Sequence, residues 1–143
     1  MRRYNCITKV FISYAQSDER LAEKIAESLK QAGLTIRDYR QEILPGELWS
    51  EKASQALRDS DAMVVLLTLE AVRSKQVRSE INYALGRDAF KNRLIPVVVG
   101  LPDRLPKKEV PWILWELQVV KLPERGNQKE GIRKIAQTLL EAA

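Results

Sequence analysis

The run Ala62–Thr68, AMVVLLT, constrains this chain most. It carries no charge and does not alternate apolar with polar residues. A strand with one wet face alternates, whereas a continuous apolar run is what a strand covered on both faces looks like. The segments around it fit helices flanking a sheet. Val10–Ser13 is a short apolar strand. From Asp18 to Ala32, Leu21, Ile25 and Leu29 fall at helical spacing, with Ala22 and Ala26 beside them. Ser17 is the expected N-cap, Asp18 and Glu19 suit the positive end of the helix dipole, and Gly33 is the expected stop.

Leu34–Arg37 reads as a second strand. Asp38–Glu47 is a loop, with Pro45-Gly46 fitting the centre of a type II turn. Leu48–Arg58 reads as a helix burying Ala53, Ala56 and Leu57. Gln76–Ala89 is the next helix, with Val77, Ile81, Ala84 and Leu85 inward. Leu94–Val99 is a fourth strand, although Pro96 counts against a fully paired central position. Pro111 starts a turn carrying Trp112 and Trp115, read as packing under the last helix. Leu117–Val120 is the expected last strand, and Ile132, Ile135, Ala136, Leu139 and Leu140 give a final amphipathic helix. Strands alternating with helices imply an α/β fold: a five-stranded parallel sheet with helices on both faces. Right-handed crossovers make the flavodoxin-like strand order 2-1-3-4-5 the expectation.

At 143 residues, 45% hydrophobic and 30% charged, one soluble domain over residues 1–143 is expected. No apolar stretch is long enough to span a bilayer, and no apolar signal core follows Met1-Arg2-Arg3, so a cytoplasmic location is expected and no membrane partner. The single cysteine, Cys6, excludes an internal disulfide and reads as a buried or incidental thiol. The chain has no His, which removes the commonest transition-metal ligand and neutral-pH acid–base group; no metal site is expected. Its net charge of +5 comes from 24 basic residues interleaved with 19 acidic ones. Without aromatics among the basic residues for base stacking, nucleic acid is not an expected partner.

Several doubly wound functions are excluded by what is missing. There is no G-x-G-x-x-G and no G-x-x-x-x-G-K-[ST], so no glycine loop cradles a phosphate. The first and third strands end in Ser13-Tyr14 and Leu67-Thr68, not in the carboxylates a phospho-accepting receiver needs. No serine nucleophile elbow is present. In such a sheet ligands sit at the C-terminal ends of the strands, which points to Ser13, Tyr14 and Ala15. One carboxylate also stands out. Glu80 lies just off the apolar stripe of its helix, on the same flank as Gln76 and Tyr83, and Ala84 stands at i+4 where an ion-pair partner would be expected. Two readings stay open for it: a solvated helix glutamate, which helix geometry alone favours, or a carboxylate facing a cleft at the loop edge of the sheet.

KVFISYAQSDER, the loop DYRQEILPGE and the helix with Glu80 together resemble a Toll/interleukin receptor (TIR) domain of bacterial type, over nearly the whole chain. The first strand is similar to the family's F-I-S-Y signature. Asp38 to Gly46 resembles its BB loop, Ser60-Asp61-Ala62 the approach to its third strand, and Ile95-Pro96-Val97 its fourth strand. The resemblance implies one of two activities. Many members cleave the nicotinamide–ribose bond of NAD⁺, giving ADP-ribose or a cyclised form; others only assemble. In the enzymes the essential residue is a glutamate on the helix after the third strand, which Glu80 matches. NAD⁺ is then substrate, not bound cofactor. Ser13, Tyr14, Ala15, Asp38, Arg40, Trp49, Gln76 and Tyr83 are the expected substrate-binding residues. Packing roles stand beside this for Tyr14 and Trp49, and a local salt bridge for Asp38 with Arg40. Enzymatic members often carry Trp where Gln76 stands, so stacking on the substrate would fall to Tyr14, Trp49 or Tyr83. Leu44, Pro45 and Gly46 form the expected self-association loop. The implied partners are other TIR domains, in a homo-oligomer or filament, and a fused sensor domain of a longer protein; the implied setting is prokaryotic immunity or signalling.

Overall fold

A computed structural model describes residues 7–90, 93–117 and 119–141. Cys6 lies outside them. Five parallel strands carry the fold: β1 (Lys9–Ser13), β2 (Thr35–Arg37), β3 (Ala62–Leu67), β4 (Leu94–Val99) and β5 (Val120–Leu122). Their order is β2-β1-β3-β4-β5, the order expected from the sequence. The helices are α1 (Glu19–Gln31), α2 (Trp49–Arg58), α3 (Leu69–Arg73), α4 (Lys75–Leu85) and α5 (Lys129–Glu141). None of the helices among the described residues is long and apolar enough to cross a membrane.

Every residue of β3 is buried, because layers cover both faces of the sheet. Met63, Val65 and Leu67 face one way, onto Ala56 and Leu57 of α2 and Val77 and Ile81 of α4. Ala62, Val64 and Leu66 face the other, onto Ile25 and Leu29 of α1 and Ile132, Ile135 and Leu139 of α5. Each large β3 side chain removed from water contributes about 2 kcal/mol, which is why this run dominated the sequence. The edge strand β2 is short and polar, a common guard against unwanted pairing.

Local chemistry explains the boundaries. Gly33, at φ 96°, closes α1 with the Leu34 N–H on the Leu29 carbonyl and its own N–H on that of Lys30, both 3.0 Å. This pair of hydrogen bonds needs a left-handed residue. Ser17 does not cap α1. Gln16–Asp18 form a 3₁₀ turn that runs into the helix, and the Asp18 carboxylate instead accepts from the Thr68 hydroxyl at 2.6 Å. Pro45-Gly46 forms the expected turn: Gly46 has φ 90°, and the Glu47 N–H reaches the Leu44 carbonyl at 3.0 Å. The short α3 lacks enough turns to show a periodicity; Thr68 caps it and Ser74 caps α4.

Some expectations shift. Helix α4 ends at Leu85, before Gly86, and Asp88–Phe90 form a separate 3₁₀ turn; Leu85 is exposed, not inward. The last strand is Val120–Leu122, not Leu117–Val120. Leu117 closes the 3₁₀ turn Trp112–Glu116, and β5 alternates buried, exposed, buried against β4. Trp112 is 73% exposed, and Trp115 packs on the α2/α4 side, so neither lies under α5. Pro96 registers with Val65 of β3, and the β5 ladder starts one residue later at Val97, so the proline sits beside that ladder's end.

Candidate functional site

The site forms where β1 runs out beside α4. Strand alternation sends Phe11 and Ala15 to the α2/α4 side and Ile12 and Tyr14 to the α1/α5 side. Ser13, on the same side as Phe11, is fully buried, and its hydroxyl donates to Glu80 Oε1 at 2.6 Å. The chain leaves β2 through Asp38 into a 3₁₀ turn, Tyr39–Glu42. Asp38 accepts the Arg40 N–H at 3.1 Å and so fixes the turn. That turn lays the Tyr39 ring on Phe11, with centroids 5.7 Å apart and planes at 10°. The Tyr39 hydroxyl then donates to Glu80 Oε2 at 2.6 Å. Gln76, one helical turn before Glu80, directs its amide N–H to the Tyr39 hydroxyl and, at 3.5 Å, to Oε2.

Glu80 is 2% exposed, which overturns the solvated-glutamate reading. Two hydroxyls donating at 2.6 Å are the geometry of an ionised carboxylate acceptor. Burial raises its pKa; the hydroxyls of Ser13 and Tyr39, the Arg40 charge and the Gln76 amide pull it back down, but the net shift is upward. Tyr39 is pushed well above the ordinary phenol range, first by burial and then by the Glu80 charge and hydrogen bond.

The other expected residues divide into groups. Arg40 donates to the Tyr14 carbonyl and lies over the Tyr14 ring, 3.9 Å from its centroid. The Tyr14 hydroxyl points at Asp38, 3.4 Å away. Burial first, and the Asp38 charge next, raise the Tyr14 pKa. Tyr14 and Asp38 line a cavity of about 410 Å³ against α1, on the other side of the sheet from Glu80. Ala15 is buried on the Glu80 side and accepts the Asp18 N–H at 2.8 Å. Trp49 and Tyr83 are half-buried against the α2/α4 core, and Arg87 lies over the Tyr83 ring at 5.4 Å. Leu44, Pro45 and Gly46 stand exposed at the loop tip. A cavity of about 630 Å³ opens at the ends of β3 and β4, where Asp18, Thr68 and Arg104 are among its lining; Glu80 is not.

Glu80, Ser13 and Gln76 therefore meet, while Tyr14 faces away. The residue sequence reasoning missed is Tyr39. Its only signal was an aromatic between Asp38 and Arg40 in an otherwise polar stretch.

The sequence model of the TIR domain matches residues 10–138. Among curated protein sequences, none matches. A metazoan TIR-STING receptor from C. gigas in complex with 2',3'-cGAMP superposes with a TM-score of 0.75 at 22% identity. That alignment covers 98% of this chain and 41% of that one, so the chain spans well under half of the receptor. The TIR domains of the activated Roq1 resistosome give 0.70 at 16% identity, over 91% of this chain and 98% of that one. The TIR domain of the Toll-related receptor TRR-2 from Hydra magnipapillata gives 0.63 at 18%, over 78% and 82%. At these identities the structures speak for the fold; the sequence match over most of the length speaks for descent, and the chain belongs to the TIR domain family.

Proposed function

We propose that this domain cleaves the nicotinamide–ribose bond of NAD⁺, with Glu80 as the catalytic residue, when copies assemble. The observation that carries the reading is the buried carboxylate at the end of β1, its oxygens fixed by Ser13 and Tyr39. In the reaction the C–N bond breaks and its electron pair leaves with nicotinamide, which departs neutral, so no strong general acid is required. Positive charge develops on the ribose, as in glycoside hydrolysis. A pre-oriented carboxylate with little water around it stabilises that charge and holds the ribose hydroxyls. Water then adds to the ribose carbon and loses a proton, giving ADP-ribose; attack by a nitrogen of the adenine gives a cyclic product instead. The resistosome that recognises a pathogen effector and the receptor bound to 2',3'-cGAMP among the solved neighbours support a place in immunity or signalling; a prokaryotic, anti-phage setting is part of the proposal and rests on the resemblance of the sequence to bacterial members.

A second reading is a non-enzymatic module that assembles through TIR–TIR contacts. The exposed Leu44 and Leu48 at the loop tip, and Gln76 in place of an aromatic, favour it. One experiment separates the two. Purified protein, dispersed or forcibly clustered, is mixed with NAD⁺ and free nicotinamide is followed. Clustered wild type releases nicotinamide and Glu80→Ala does not. Absence of release under clustering, or equal release by the variant, leaves the assembly module as the function.

A further inference from the structure

We propose that Gln76 and Tyr39 act together as positioning residues for Glu80: the Gln76 amide donates to the Tyr39 oxygen and so commits the phenol proton to the carboxylate. The consequence for catalysis rests on the NAD⁺ reading of the site; the relay itself rests on donor and acceptor chemistry. An ionised carboxylate only accepts, an amide nitrogen only donates, and a phenol has one proton to give. Gln76 Nε2 meets the Tyr39 hydroxyl and lies 3.5 Å from Glu80 Oε2. Only the nitrogen end of the amide suits a carboxylate oxygen, so this chemistry fixes which way the amide is turned. The Tyr39 oxygen then accepts from Gln76, and its proton is left for Oε2 at 2.6 Å.

The relay is held at both ends. Stacking on Phe11 holds the buried Tyr39 ring. Gln76 sits in the first turn of α4, four residues before Glu80 and so on the same face. Ser74 fixes that turn by accepting the Val77 N–H at 3.2 Å. Donors in series polarise one another, so the phenol donates more strongly with the amide behind it. Among the described residues, the titratable or charged groups acting on Glu80 are Tyr39 and Arg40, both on the turn after β2; Ser13 from β1 and Gln76 from α4 are neutral. Gln76 therefore has a task that the tryptophan often carried here by enzymatic relatives does not perform. An indole offers one N–H on a rigid bicycle, whereas the amide reaches the phenol from the end of a flexible chain. The glutamine belongs to the machinery of Glu80.

Carboxyl-carbon NMR of dispersed, glutamate-labelled protein reads the titration of Glu80 without substrate, its signal identified by loss in Glu80→Gln. Tyr39→Phe keeps the ring and removes the hydroxyl, and should move the midpoint up by about one pH unit. Gln76→Ala should also move it up, by less. In the Tyr39→Phe background the effect of Gln76→Ala should fall below half its size in wild type, because the amide acts through the phenol. No shift from Gln76→Ala, or a shift of half or more in that background, overturns the relay. In clustered protein both single variants should lower kcat, Tyr39→Phe by about tenfold, with KM little changed. The acidic limb of the kcat profile should move up by the interval that NMR reads, which a merely loosened fold would not do. A loss through KM alone overturns the positioning role. Gln76→Trp should lower kcat too; release at or above wild type overturns the proposal, even should Tyr39→Phe fold poorly. If clustered wild type releases no nicotinamide, the NAD⁺ reading fails, and the NMR titrations alone decide the relay.

Discussion

Ser13→Ala isolates the electrostatics of the site without touching the loop. The change removes one buried oxygen and leaves Glu80 Oε1 without its donor at 2.6 Å. A hydrogen bond to an ionised group contributes about 2 kcal/mol, and one between neutral groups about 1. The loss should therefore depend on the charge of Glu80. Its folded pKa lies above the ordinary carboxylate value, chiefly through burial. Such a group gives the folded state most at low pH, where it is protonated, and its contribution falls as pH rises through the folded pKa. Ser13 is among the groups pulling that pKa down, so its removal raises it further. The variant's deficit should be about 1 kcal/mol in acid, grow as pH passes the wild-type folded pKa of Glu80, and level off near 2. For a chain of this length that is about 3 °C in Tm growing to about 6 °C. Thermal denaturation of both proteins from pH 4 to 8, followed by circular dichroism, measures it. A deficit that is flat across that range, or shrinks as pH rises, means that Ser13 does not donate to an ionised carboxylate, and the charge assignment at the site fails.

Asp61 should show the opposite pH dependence. Its Oδ2 accepts the Thr8 and Lys9 N–H groups and the Thr8 hydroxyl, each at 2.9 Å, pinning the start of β1 to the start of β3. Burial alone would raise its pKa, but these donors and the Arg93 charge outweigh it and the net shift is downward. Asp61→Asn should cost about 1 kcal/mol at neutral pH, allowing for solvent around the carboxylate, and the difference should vanish as pH falls through the folded pKa; urea titrations at pH 7 and pH 3 measure it. At Gly131 a Cβ would meet Leu122 Cδ2 at 2.2 Å and the Lys121 carbonyl oxygen at 3.1 Å. Gly131→Ala gains about 1 kcal/mol of helix propensity yet should still lower Tm, because α5 must lift from β5 and overpacking costs about 1–3 kcal/mol; a Tm at or above wild type would mean that the Leu122 side chain rotates aside freely.

The fold was legible because β3 and its neighbours are selected by burial, and burial leaves a compositional trace. Elements settled by a few hydrogen bonds left little. Nothing in QSDE distinguishes a serine cap from the 3₁₀ turn that Asp18 supports through Thr68, a residue 50 positions away. For β5, the run from Leu117 to Val120 looks more strand-like than VKL, but only register against β4 decides which segment pairs. Glu80 could be singled out from its helix and from the family pattern, yet its environment could not. Angular position on α4 put it at the edge of the apolar stripe; what makes that edge interior is the turn after β2, which folds Tyr39 over it. Tyr14 shows the converse. It adjoins Ser13 in sequence, and the two-residue period of a strand sends it to the other side.

Under the NAD⁺ reading, that division bears on how a site without His would act on an N-glycosidic bond. The cost of keeping Glu80 ionised away from water is partly met by two hydroxyls and an amide. Burial outweighs these donors and the Arg40 charge together, so the pKa stays raised. In the proposed reaction a cationic ribose would add positive charge beside Glu80, and it would exist only as the nicotinamide bond breaks. An interaction that strengthens between bound substrate and transition state is the kind that speeds the chemical step, and low local dielectric enlarges it. On this argument solvating Glu80 should harm catalysis even with the carboxylate intact. A polar, smaller residue at Phe11, the apolar backing of Tyr39, should lower kcat in clustered protein although no group that touches NAD⁺ is removed.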